Sequence, residues 1–208
     1  MDKLKDVFRR IEAATKTVEV SSILDDVGID HKYRIDEGIY PELQFKITKE
    51  ELLSLKNSGG ITFDNLIGNP SDADVLTRLL YSVLWKNGDL RKVKHIIDGI
   101  LEDESVDKES GLVFYQFGKY LTKSSGEPLI DQHVLRAFGM YKAKDDEEKI
   151  KYFKRLSLVT KKEKALIVQY KSWLQNDLTE ELRSEDNYLY HVDKVLFAVG
   201  KSVKEKTR

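Results

Sequence analysis

The residues best suited to chemistry lie in one run, Gly126-Glu127-Pro128-Leu129-Ile130-Asp131-Gln132-His133-Val134-Leu135-Arg136-Ala137-Phe138. A short apolar stretch leads into an aspartate, a histidine stands two places on, and an arginine follows as a helical pattern opens. A carboxylate fixed at a helix start can stabilise positive charge developing on a sugar as an N-glycosidic bond breaks, or help to activate the attacking group. Asp131 also has an ordinary structural reading, because aspartate is a preferred N-cap that accepts hydrogen bonds from free backbone N–H groups. His133 can bond a backbone carbonyl and lock adjacent helices. A metal role would need further ligands, which His31, His95 and His191 do not supply at motif spacing. Arg136 suits a phosphate, and equally an ion pair with Asp131 or with an acid on another helix.

The rest of the chain narrows the chemistry. With no cysteine among its 208 residues, disulfides, iron–sulfur clusters, thiolate zinc sites and cysteine nucleophiles are excluded. Phosphate-cradling glycine loops, nucleophile elbows and carboxylate–histidine metal patterns are absent, so neither cofactor nor metal is expected. Trp85 with Lys86, Arg91, Lys92 and Lys94 nearby is an aromatic among cations that could follow a nucleic-acid backbone, yet its helical stripe reads first as core. Trp173, Tyr170 and Phe153 read as packing residues. Net charge is −1, but residues 1–104 carry 15 Lys/Arg against 20 Asp/Glu while residues 105–208 carry 20 against 16. That modestly basic second half suits a phosphate backbone no better than it suits an ordinary helical surface. The amino terminus lacks the apolar core of a signal peptide and no apolar run approaches the ~18 residues of a span, so the expectation is a cytoplasmic protein away from membranes. The oligomeric state is left open.

The elements that must position these residues are helices. Leu4, Val7, Phe8 and Ile11 recur at helical spacing, and a second helix is expected over 18–27. Between His31 and Ile47, partly alternating β-branched and aromatic residues broken by Gly38 and Pro41 predict a loop or small hairpin. Thr48 with Glu51 has capping-box spacing, as do Ser71 with Asp74, Asp145 with Glu148, and Thr160 with Glu163. Val75, Leu76, Leu79, Leu80, Val83 and Leu84 form a wide stripe ended by Asn87-Gly88. Further helices are expected over 90–101, 112–121, from Asp131 through Phe138, and from about Ser184 to Val203. The fold class is therefore all-α. Gly68, Asn69 and Pro70 mark the expected boundary between an N-terminal helical segment, residues 1–70, and a second domain, residues 71–208.

The Pro128–Met140 segment resembles the stretch that carries the catalytic aspartate in helix-hairpin-helix DNA glycosylases. With Val113 to Leu121 and His191 to Phe197, the chain over roughly 71–201 is similar to uncharacterised bacterial proteins with an 8-oxoguanine DNA glycosylase-like fold. The resemblance implies a two-lobed, multi-helix glycosylase-like domain, double-stranded DNA as partner, and Asp131 as the catalytic group. Gln132, His133 and Arg136 are the expected DNA-binding residues. Where the family keeps a glycine-rich hairpin, this chain has Asp103 to Gly111 with several acids. Lys108 there has acidic neighbours, which do not lower a lysine pKa toward nucleophilic use. The implied activity is accordingly a monofunctional N-glycosylase or a DNA-lesion-binding protein. The alternative is a non-enzymatic helical interaction or accessory protein that keeps the fold without the chemistry.

Overall fold

A computed structural model of the chain describes residues 2–58, 74–102 and 111–205. Among the described residues the secondary structure is entirely helical, as the all-α reading expects. The order is α1 (Asp2–Ala13), α2 (Thr17–Asp26), a 3-10 turn (His31–Tyr33), α3 (Lys49–Asn57), α4 (Val75–Lys86), α5 (Leu90–Ile100), α6 (Leu112–Leu121), α7 (Gln132–Ala143), α8 (Glu147–Arg155), a second 3-10 turn (Lys161–Glu163), α9 (Lys164–Asn176), α10 (Glu180–Ser184) and α11 (Tyr188–Ser202). The helices fall into two compact units, one formed by Met1–Gln44 with Ser125–Arg208 and the other by Phe45–Ser124. The boundary expected at residue 70, the cap expected at Ser71, and Lys108 lie outside the described residues.

Local capping chemistry places most helix starts. Thr48 Oγ1 accepts from the Glu51 N–H at 3.1 Å, while the Glu51 carboxylate accepts from the Thr48 N–H at 2.7 Å, satisfying two donors that the first turn leaves open. The Thr160–Glu163 box forms in the same way, with Glu163 accepting from the Thr160 N–H at 2.7 Å, and it opens a 3-10 turn that runs into α9. For α8 the cap is Asp146, which accepts from the Lys149 N–H at 3.0 Å, one residue later than the Asp145 expected. Residues 31–47 form no hairpin. Lys32 and Tyr33 sit in the 3-10 turn capped by Asp30, and a second turn brings the Ile39 and Tyr40 N–H groups onto the Asp36 carbonyl just before Pro41. With Tyr40 and Phe45 more than half exposed, no buried face exists to hold a strand pair in register. The helix expected from about Ser184 to Val203 is α11, and a separate short helix that the reading lacks, α10, ends at Ser184 just before it. Thr179 caps the short α10, Asn187 takes a left-handed backbone with φ 58°, and α11 begins at Tyr188.

The larger unit is built around α7. Val134, Leu135, Ala137, Phe138 and Met140 are all buried, so this helix has apolar contacts on most of its circumference, as a central helix must. It packs on α11, α8, α9 and α1. Its approach to α11 is close because Gly200 lies against the α7 backbone: a Cβ there would stand 1.9 Å from the His133 carbonyl oxygen. Phe8 stacks on Tyr141 at 3.9 Å between centroids, and Phe138, Tyr170 and Trp173 continue the aromatic cluster. The polar ends of the cluster are satisfied by Glu12, which accepts from Tyr141 OH and from Trp173 Nε1, each at 2.8 Å.

In the smaller unit, α5 and α6 cross at reciprocal glycines. A Cβ on Gly99 would meet the Tyr115 carbonyl oxygen at 2.0 Å, and one on Gly118 would meet that of Ile96 at 2.1 Å. Ile47 donates its N–H to the Leu121 carbonyl at 3.0 Å, tying the segment before α3 to the end of α6. The α4 stripe departs from the expected core. Val75, Leu76, Leu79, Leu80 and Val83 are 52 to 73% exposed, and the half-buried residues of this helix are Tyr81 and Leu84 on its other flank. Amphipathic spacing identifies an apolar face without identifying what covers it.

Candidate functional site

Asp131 is the N-cap of α7, as its position predicts. Its backbone is extended, and Oδ1 accepts from the N–H groups of His133 at 2.7 Å and Val134 at 2.8 Å. Its other oxygen, Oδ2, takes no hydrogen bond among the described residues. The carboxyl is partly buried, and loss of solvation raises its pKa above the ordinary aspartate value. The two amide bonds and the nearby Arg136 guanidinium pull the other way. The helix dipole also favours negative charge at this end. Gln132 and His133, the first two residues of the helix, are both half-buried and retain access to solvent beside the cap.

His133 is held neutral. Arginine has only donors, so the 2.7 Å contact from Arg136 Nη1 to Nδ1 makes Nδ1 an acceptor and leaves the ring proton on Nε2. Burial, with Arg136, Lys204 and Lys201 adding like charge, pushes the imidazole pKa down to about 4. The ring meets Phe197 edge-on at 4.8 Å.

Arg136 stands apart from its expected role at a phosphate. It is 0% exposed, and its guanidinium is committed inside the protein. Nη1 donates to the Gly200 carbonyl at 2.7 Å, in the last turn of α11, and Nη2 donates to the carbonyl of Leu156, the residue that ends α8. Both carbonyls belong to helix C-termini, where the final turn leaves acceptors without intrahelical partners and carries partial negative charge. One cation thus joins the ends of two helices to the start of a third. Nε has no partner among the described residues.

The structure adds a group that the sequence reading does not single out for chemistry. Asp193, on α11, is 2% exposed; Oδ2 accepts from the Leu129 N–H at 2.6 Å and Oδ1 from the hydroxyl of the fully buried Tyr170 at 2.5 Å. Burial raises both pKa values well above their usual ranges, and Asp131 adds to both shifts, so the two carboxyls and the phenol share one electrostatic neighbourhood behind α7. A raised carboxyl pKa means that the folded state holds the proton more tightly than the unfolded chain. The contribution of Asp193 to stability is therefore greatest at low pH and falls as pH rises from the ordinary carboxyl value through the raised one. Asp193→Asn removes the ionisation while its amide oxygen can still accept from the Leu129 N–H and its NH2 can donate to the Tyr170 hydroxyl oxygen, reversing that bond. It is expected to flatten the decline in denaturation midpoint measured between about pH 4 and pH 8; an unaltered slope would assign that decline to another group.

Among the described residues no cluster of His, Cys, Asp and Glu could hold a metal ion, and no helix is long and apolar enough to cross a membrane. The geometry can offer a carboxylate with one uncommitted oxygen, at a positive helix end, beside a neutral imidazole. Compared with protein-family models, curated proteins and solved structures, the chain matches none.

Proposed function

We propose that the chain binds damaged double-stranded DNA at the amino end of α7 and releases an altered base, with Asp131 steadying the positive charge that develops on the sugar. In this reaction water adds to the sugar carbon as its bond to the base breaks, and the base leaves with a proton. The observation that carries the reading is the division of labour within Asp131: Oδ1 makes both capping bonds and Oδ2 remains uncommitted. A carboxylate oriented by its own helix meets the requirement that the charge be preorganised before the transition state forms. Gln132 and His133 are the DNA contacts in this proposal. Arg136 acts behind them by fixing the helix ends, since it has no exposed surface for a phosphate.

A second reading is a helical interaction protein that keeps this architecture without the chemistry. It is favoured by the fact that Asp131 and Arg136 both hold structural positions, one through Oδ1 as a cap and the other as a bridge between carbonyls. Incubating the protein with duplexes bearing a panel of damaged bases, alongside binding to an abasic-site analogue across a salt series, separates the two. The glycosylase reading expects base release without strand cleavage, no borohydride-trapped adduct, and lesion affinity that falls with salt. No release from any duplex, together with equal affinity for intact and lesion DNA, leaves the interaction protein.

A further inference from the structure

The stripe on α4 is turned the wrong way for a helix that serves only its own unit. Val75, Leu76, Leu79, Leu80 and Val83 lie on one side of the helix and are 73, 63, 59, 55 and 52% exposed, whereas the residues that are half-buried, Tyr81 and Leu84, lie on the other. An outward row of branched aliphatic side chains with no polar residue inside it is the composition of an interface centre.

We propose that α4 pairs with α4 of a second copy of this chain, antiparallel, about a twofold axis crossing the stripe between Leu79 and Leu80. Two features select a second copy. The stripe is self-complementary about that point: Leu76 of one copy then faces Val83 of the other and Leu79 faces Leu80, apolar on apolar about the axis. The ends carry opposite charges, Asp74 at the N-cap and Lys86 in the last turn, and an antiparallel pairing brings each to the level of the other. At on the order of 100 Å² per exposed aliphatic side chain, the paired stripes hide roughly 1,000 Å², the lower limit for a specific protein interface. The dimer is therefore weak and concentration-dependent. It is independent of any chemistry at Asp131.

Sedimentation of the full chain over a concentration series reaching about 100 µM tests the pairing. A reversible monomer–dimer equilibrium is expected, with Leu79→Glu raising the dissociation constant at least about tenfold by placing like charges at the axis. Val168→Glu, at an equally exposed aliphatic residue on α9, leaves it unchanged. Because the chain has no cysteine, Leu80→Cys supplies a single thiol at the axis, and mild oxidation is expected to link two chains through it. This second variant decides the matter even if the glutamate disturbs folding. A monomer at every concentration, a dimer indifferent to Leu79→Glu, or a Leu80→Cys chain that does not cross-link overturns the proposal.

Discussion

Arg136→Ala is expected to destabilise the protein by about 3–5 kcal/mol, the scale seen when one member of a buried charged network is removed. The loss has identifiable parts. The Gly200 and Leu156 carbonyls are left buried without donors, each costing about 1–3 kcal/mol, and the space of a large side chain is emptied. Arg136→Met refills most of that space with apolar atoms and separates packing from hydrogen bonding, so it should recover part of the loss and not all of it. Arg136→Lys should fall between, because a single ammonium cannot reproduce the planar fork that reaches two helix ends at once. Denaturant unfolding reads these differences as shifts in midpoint at a common slope. A loss below about 1 kcal/mol for the alanine variant would show that other donors or water can satisfy the two carbonyls.

The second large effect concerns activity. If Asp131 steadies charge on the sugar, Asp131→Asn is expected to lower base release by about 10²–10³-fold, the usual consequence of deleting one preorganised electrostatic group. Stability should hardly change, since asparagine also caps helices and does not carry a charge into a partly buried site. Asp131→Ala, in contrast, should lose about 0.5–2 kcal/mol of stability because the His133 and Val134 N–H groups lose their acceptor. The pH profile gives an independent reading. Only the ionised carboxylate is active, and burial raises its pKa, so release should fall on the acid side at a higher pH than for an ordinary aspartate. The small residual rate of Asp131→Asn should lack that limb. Equal rates for wild type and Asp131→Asn on a substrate that is cleaved would remove Asp131 from the chemistry while leaving its cap intact.

Much of the local structure could be read from residue order because its causes act over a few residues. The Thr48–Glu51 and Thr160–Glu163 boxes and the Asp131 cap each join groups within one helical turn, so the side chains that make the bonds stand beside the amides they satisfy. The apolar row of α1 likewise identified residues that became core, Leu4, Val7, Phe8 and Ile11, and Tyr170 and Trp173 are buried as packing residues should be. Even at this range near-equivalent candidates defeat the reading: Asp145 and Asp146 are adjacent and either could cap, and a five-residue helix such as α10 carries too little periodicity to register.

What tertiary structure decided are the partnerships across long stretches of chain. Arg136 finds its carbonyls 20 and 64 residues away, and Asp193 meets Tyr170 at 23 residues and Leu129 at 64. Nothing in the spacing of Asp131, His133 and Arg136 reveals that the first keeps an uncommitted oxygen while the last loses all access to solvent. The same holds for α4, where the sequence supplies the apolar stripe and the packing turns it outward. Periodicity and capping follow from backbone geometry shared by all helices, whereas burial, desolvation and the choice of hydrogen-bond partner depend on which helix ends and faces the whole chain brings together.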